Sequence, residues 1–359
     1  MGKIKTARYL PSVEDRGIIL RRSRKGEPFY PIDGVCIREA MLHRVNGSYY
    51  LVYDAFGSSE IADQVRVCMA KSENLTDWIK LGPKLEPTGM TLGDTPLRYA
   101  DYNCACSPWF LQEDGKWYIF YIGSCGSGVV PLTPYTSLLA TADNFEGPWQ
   151  KQNTQNKKNN HVLIPLKKDS YYEETACSGH VLRNPKWRGE QDTENKKYMM
   201  FFGAAAYRPE LERCIGIART NELTASGDWD DPEGNFWQVD EQPIIPASHD
   251  VENTSIYYEP ANQTYFLFTN HIDETNCYTD AIWVYWTKDL DCWNPENRAV
   301  VIDAGVSSWA KGAIGMPTVL KIDAHTLALV YDGVEGMGRG HLDRDIGLAY
   351  ISLPLFPPV

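Results

Sequence analysis

Apolar residues in this chain come in short runs separated by clusters of Gly, Asn, Asp and Pro, and no long segment keeps a 3.6-residue period. Short β-branched and aromatic runs bounded by turn formers predict strands. One pair of runs recurs along the chain. The first copy is Ala40-Met41-Leu42, a turn at Asn46-Gly47, then Tyr49-Tyr50-Leu51-Val52-Tyr53. The second is Pro108-Trp109-Phe110, Asp114-Gly115, then Trp117-Tyr118-Ile119-Phe120-Tyr121. The third runs from His180-Val181-Leu182 through a charged loop to Tyr198-Met199-Met200-Phe201-Phe202. Ser255–Tyr258 and Tyr265–Thr269 form the fourth, and Pro317–Leu320 with Leu327–Tyr331 the fifth.

A third run follows each pair. Val67–Ser72, Leu138–Thr141, Ile215–Thr220 and Ile282–Thr287 are each trailed by a Leu or Phe and then by a Trp (Trp78, Trp149, Trp229, Trp293), and Ile346–Tyr350 closes the series. A repeat of roughly 60–80 residues suits four-stranded units that bury their faces only against one another. The predicted fold is all-β: a single five-bladed β-propeller domain over residues 1–359, with blade hairpins near 37–78, 105–149, 177–229, 252–293 and 315–351. Loops 83–105 and 122–136, rich in Gly, Pro and Thr, are expected at a ligand face, and 150–160 and 186–196 as solvated surface.

Composition narrows the partners. The net charge of −12 argues against nucleic acid or an anionic membrane, and no apolar stretch is long enough to span a bilayer. The 11 Trp, 21 Tyr and 11 Phe exceed what a core needs and suit platforms for sugar rings. Nine cysteines, an odd number with no C-x-x-C pair, predict reduced thiols and no structural zinc. The opening residues lack a signal-peptide core, so the chain reads as cytoplasmic as written, or as periplasmic or secreted if a leader has been removed.

In a propeller the innermost strands converge on a central funnel, so chemistry is sought just before each first strand. Those positions hold Asp33, Arg38 and Glu39; Asp101, Asn103 and Ser107; Glu173, Glu174, Ser178 and His180; His249, Asp250 and Glu252; and Trp309 and Lys311. Two carboxyl groups facing across an aromatic-walled funnel are what glycoside cleavage needs: one protonates the leaving oxygen, and the other activates water or attacks carbon. Each position has a plainer reading as well. Glu39 beside Arg38 makes an ion pair, His180 a hydrogen-bonding strand residue, and Asp101 a turn. Tyr102 and Trp309, outside the predicted strands, are the better sugar platforms.

The five-blade plan, with an acidic motif before an inner strand and Gly47-Ser48-Tyr49-Tyr50-Leu51-Val52-Tyr53 after it, resembles the family 43 glycosidases and related propeller families. The resemblance implies that Glu252, in Val251-Glu252-Asn253-Thr254, is the general acid, although the family's Gly and Pro are replaced. It implies that Glu39, in Arg38-Glu39-Ala40, stands where the family has the aspartate general base, with Asp33 as a substitute. The third acid of the family has no counterpart in Cys177-Ser178-Gly179-His180, which brings Glu173, Glu174 or His180 into consideration. Arg38, Asp101, Tyr102, Ser107, Trp309 and Lys311 are the substrate-binding candidates.

The function expected is hydrolysis of a small oligosaccharide or glycoside, a step in polysaccharide degradation, by an exo-acting and inverting enzyme. Its carboxyl groups would stand about 6.5–9.5 Å apart, and Glu252 would be held protonated near neutrality. No cofactor is required and no metal ligands are assigned; a calcium ion in the funnel occurs among relatives. The alternatives are a non-catalytic carbohydrate-binding propeller, and a phosphorylase holding phosphate with Arg38, His180, Arg183 and Lys311.

Overall fold

The computed structural model describes residues 8–57, 64–89, 99–126, 133–152, 162–208, 210–224, 235–273 and 278–358. The middles of both expected ligand-face loops, most of 150–160, and Trp229 lie outside the described residues. The regular elements described are strands apart from one short helix, Tyr30–Asp33, and a 3-10 turn, Ala247–His249. The N-terminal strand is β1 (Val13–Leu20). Then come β2 (Cys36–Val45), β3 (Ser48–Phe56), β4 (Val65–Ser72) and β5 (Ile79–Leu85). The second group is β6 (Cys104–Glu113), β7 (Lys116–Ser124), β8 (Tyr135–Ala142) and β9 (Gln150–Lys151). The third is β10 (Thr175–Arg183), β11 (Tyr198–Tyr207), β12 (Leu211–Thr220) and β13 (Gln238–Val239). The fourth is β14 (Val251–Glu259), β15 (Thr264–Asp273), β16 (Tyr278–Thr287) and β17 (Arg298–Ile302), and the last is β18 (Ala310–Lys321), β19 (Thr326–Glu335) and β20 (Arg344–Ser352).

Within each group the strands pair antiparallel in chain order. The last group acquires its fourth strand from the other end of the chain, because β1 pairs with β20. The sequence pattern leaves that copy short; the chain's N-terminal strand completes it. Short parallel contacts, Val65 with Cys104 and Tyr135–Thr136 with Thr175–Ala176, join the first three groups into one sheet.

Local chemistry explains the hairpins. Asn46-Gly47 and Asp114-Gly115 all have positive φ, between 50° and 90°, the conformation of a two-residue type I′ turn whose twist matches that of its strands. The Leu-x-x-Trp tails are also alike: the indole of Trp78 donates to the Leu75 carbonyl at 3.1 Å and that of Trp293 to Leu290 at 2.8 Å.

The inner strand of every group carries a register shift at the same place. It falls after Arg38, Cys106, Cys177, Glu252 and Gly315, which pair with Asp54, Ile122, Gly203, Asn270 and Asp332 of the second strand. In four groups the next residue is left-handed: Glu39, Ser107, Asn253 and Met316 have φ between 49° and 61°. These are β-bulges, which re-aim side chains and tighten the local twist.

Hydrogen bonds at or just beyond the bulges run from each group to the next. The Ser107 N–H donates to Asp54 at 2.7 Å, Ser178 Oγ to the Tyr121 carbonyl at 3.0 Å, and Thr254 Oγ1 to the Phe201 carbonyl at 2.7 Å. The Val319 N–H donates to Ser255 Oγ at 3.0 Å, and Thr318 Oγ1 donates to the Ala40 carbonyl at 2.8 Å, which returns from the fifth group to the first. The apolar clusters follow the same order: one spans the first three groups, others join the third to the fourth and the fourth to the fifth, and one packs the fifth against the first. No group buries its faces alone, so stability is shared among all of them.

The tightness of this contact is testable at a glycine. A Cβ on Gly179 would overlap the Phe201 carbonyl oxygen and Thr254 Oγ1, whereas one on Gly203 would meet nothing nearer than Cys177 Cβ at 3.6 Å. Gly179→Ala is expected to lower the urea unfolding midpoint by the equivalent of about 3 kcal/mol, and Gly203→Ala to change it by under about 0.5 kcal/mol. Equal midpoints for the two variants would contradict this packing.

Candidate active site

Glu39 sits at the bulge of β2, where the left-handed backbone turns its side chain out of the strand's alternation. Its N–H donates to Asp332 at 2.8 Å, Ser107 Oγ donates to its Oε2, and Arg38 Nε lies 3.5 Å from its Oε1. Ser107 is at the corresponding bulge of β6, and its own N–H is held by Asp54. Burial lifts the Glu39 carboxyl from 4.5 to about 7; Arg38 and Arg344 oppose the rise, while Glu252 and Asp332 add to it. A carboxyl group removed from water and facing other carboxylates keeps its proton to higher pH.

Glu252 enters from β14, one register position earlier than Glu39: its equivalent in β2 is Arg38, and that of Glu39 is Asn253. Its side chain is 29% exposed against 10% for Glu39. Arg213 of β12 lies 3.5 Å from Glu252 and 3.3 Å from Asp250, so one guanidinium braces both acids. Two thiols lie near enough to the glutamates for the charges to act on them. Cys106 and Cys177 occupy the pre-bulge position of the second and third groups, next to Ile122, Phe56 and Tyr135. The Cys106 thiol is pushed well up, first by its contact with Cys104 and then by burial, and Cys177 by burial, with Cys106, Glu252 and Glu39 adding to it. Both are neutral thiols, a low-polarity wall beside a pair of acids.

The remaining sequence candidates are placed elsewhere or engaged. Asp33, 1% exposed, is paired with Lys80 at 2.6 Å and accepts the Ser23 N–H, on the outer side of the first group. Asp101 is likewise paired with Lys151 at 2.6 Å and accepts from Thr88 Oγ1 and the Tyr121 hydroxyl. The Tyr102 carbonyl accepts the Gly89 N–H in the adjoining loop. His180 packs on Trp109, accepts the Ile256 N–H at 3.2 Å through Nδ1, and is lowered by burial and His43 to about 4, so it is a neutral link between groups. Trp309 donates to the Tyr331 hydroxyl at 2.6 Å and lies against that ring. Lys311 donates to the carbonyls of Ala304 and Ser307, and Arg183 pairs with Glu113. Glu173 is bonded to the Asp169 N–H and to Arg208. Among the described residues no group of three or more acidic, His or Cys side chains is gathered as metal ligands, and every cysteine is free. A cleft of about 170 Å³ between Arg219, Asn221, Glu222, Phe236 and Gln238 lies at the outer edge of the third group, away from both glutamates.

Sequence reasoning missed Asp54, Asp332, Arg344 and Arg213. A signal for the aspartates exists: the second-strand motif reads Leu-Val-Tyr-Asp in both β3 and β19, the aspartate directly following the last aromatic of the repeat. Arg344 and Arg213 have no such mark.

No family model matches the chain, and no curated protein does. Solved structures do. A complex of BT0996 with RGII superposes with a TM-score of 0.66 at 16% identity, covering 98% of this chain and 95% of that one. A thermostable family-43 glycoside hydrolase gives 0.56 at 12% identity over 92% and 96%, and the endo-arabinase of Bacteroides thetaiotaomicron 0.55 at 14% over 89% and 96%. At such identities the likeness is one of fold, and the fold is that of the propeller glycoside hydrolases, in agreement with the resemblance read from the sequence.

The unusual carboxyl can be seen directly. In protein labelled at glutamate Cδ, the resonance assigned with Glu39→Gln is expected to titrate near 7. It is expected to move to lower pH in Glu252→Gln, because a neighbouring negative charge is gone. An ordinary titration near 4.5, unmoved by the Glu252 change, would refute the pairing of these two residues.

Proposed function

We propose that the chain is a glycoside hydrolase, built as one five-bladed β-propeller, that cleaves a small glycan with the carboxyl groups of Glu39 and Glu252. The circuit of hydrogen bonds from group to group and back, with β1 completing the fifth, supports a closed ring of five blades. The observation that carries the reaction is two acids from different blades, close enough that the charge of one raises the other. Residue pairs whose environments differ in this way divide into acid and base.

That division reverses the roles implied by the family resemblance. Glu39, buried and raised to about 7 so that a large share of it still carries its proton near neutrality, gives that proton to the glycosidic oxygen as the C–O bond breaks. Glu252, partly exposed and braced by Arg213, is the carboxylate that takes a proton from the water attacking the anomeric carbon. Ser107 orients the acid, and the thiol wall offers an apolar surface to the sugar. Inversion follows if the water adds from the face opposite the leaving group, and the anomer first released, read by proton NMR, reports it.

The phosphorylase reading is less well supported: His180, Arg183 and Lys311 each have partners of their own and do not gather around Arg38. A carbohydrate-binding protein without activity would leave the raised carboxyl unused. The structural neighbours include an endo-arabinase and complexes with RGII, cellotriose and xylotriose, so the screen begins with aryl arabinosides and xylosides, then galactosides and fucosides, in both anomers.

On the best aryl glycoside of that screen, Glu39→Gln and Glu252→Gln are each expected to lower kcat by about 10²–10⁴-fold. The Glu39 variant should recover most of its rate on a dinitrophenyl glycoside, whose leaving group needs no proton, and the Glu252 variant should not. Recovery in the Glu252 variant alone would restore the roles implied by the resemblance. Activity in both variants would remove the pair from the reaction, and a dependence of turnover on phosphate would make the enzyme a phosphorylase.

A further inference from the structure

We infer that Asp332 and Arg344 are positioning residues for Glu39, fixing its left-handed backbone and setting a matched pair of buried charges against its carboxyl. The importance of this arrangement for catalysis rests on the acid role proposed above for Glu39; the arrangement itself does not. Both side chains are completely buried, and Arg344 Nη1 donates to Asp332 Oδ1 at 2.6 Å. The other carboxylate oxygen, Oδ2, accepts the Glu39 N–H at 2.8 Å. Arg344 is held on its remaining sides by the Thr279 hydroxyl at 2.9 Å and the Gly340 carbonyl at 3.3 Å. Gly315, the register partner of Asp332, has no room for a side chain because a Cβ would meet Thr279 at 2.7 Å. The guanidinium is thus enclosed by β16, β18, β19 and β20.

The comparison with Asp54 shows what the arginine adds. Asp54 caps the Ser107 bulge in the same way, but its second oxygen is buried without a hydrogen-bond partner, and burial followed by the charge of Glu39 raises it well above an ordinary aspartate. A capping acid of that kind tends to take up a proton. Burial raises Asp332 above an ordinary aspartate as well, but there the Arg344 guanidinium at 2.6 Å and the Glu39 N–H oppose the rise, and Asp332 accepts from both donors at once. Breaking such a pair from one side leaves an uncompensated buried charge, so its members act as a unit. The groups facing Glu39 are Arg38 on its own strand, Asp54 on β3, Cys106 and Ser107 on β6, Cys177 on β10, Glu252 on β14, Asp332 on β19 and Arg344 on β20.

The two members pull the Glu39 titration in opposite directions, and the test uses that sign. Asp332→Asn keeps an acceptor for the Glu39 N–H, removes a negative charge and leaves Arg344 uncompensated. The Glu39 midpoint, read by the glutamate Cδ resonance in folded protein, is expected to fall by about one pH unit. Arg344→Met removes the positive charge and leaves Asp332, so the midpoint is expected to rise by a similar amount. Mere loosening of the site would admit water and lower the midpoint in both variants. A fall in Arg344→Met, or no movement in either variant, therefore overturns the proposal. A further reading is independent of whether the variants fold: in the unsubstituted protein the Glu39 amide should fall in the slowest class for hydrogen exchange, and exchange at loop rates would also overturn it. If the titration shifts as expected but the Gln variants of Glu39 and Glu252 remain active, the positioning stands and the catalytic reading falls.

Discussion

The bulge in each inner strand is the constraint on which the rest depends. An extra residue in a strand leaves a backbone donor out of its own ladder, and a buried donor without a partner costs about 1–3 kcal/mol. In the first two groups the donor is taken by an aspartate of the preceding group, Asp332 for Glu39 and Asp54 for Ser107. The solution to a local backbone problem is therefore a bond between groups. The same bulges aim Glu39 and Ser107 at one another, so the feature that ties the groups together also builds the site.

The site balances burial against charge. Taking Glu39 out of water favours its neutral form, and Arg38 and Arg344 favour the charged form; burial outweighs them because Glu252 and Asp332 add to it. The thiols of Cys106 and Cys177 contribute no countercharge. Replacing them by cations would hold Glu39 ionised, and removing Arg344 would leave Asp332 a lone buried charge. The acid's character thus belongs to side chains from several strands, none of which could set it alone.

The likeness to propeller glycoside hydrolases, at identities of 12–16%, fits this division of labour. Strand patterning and packing volume tolerate wide substitution, so the fold outlasts the motifs written on it. In this chain Glu39 sits at the bulge and Glu252 one position before its own. Position in the repeat alone would not have paired them, yet the charge of Glu252 reaches the Glu39 carboxyl from a non-equivalent place.

Sequence periodicity gave the strands, the hairpin turns at Asn46-Gly47 and Asp114-Gly115 and the five-fold recurrence, and the family resemblance nominated Glu39 and Glu252, because alternation, turn residues and short motifs are local properties of the chain. What it left open depends on contacts between residues far apart. Asp33 and Asp101 looked as available as Glu39 until Lys80 and Lys151 were found against them. Trp309 and Lys311 looked free until Tyr331 and the carbonyls of Ala304 and Ser307 took their donors. Asp332 and Arg344 lie about 300 residues from Glu39 in the chain, and the pairing of β1 with β20 joins its two ends. A carboxyl group's pKa is set by its depth and by the charges around it, and both exist only once the chain has folded.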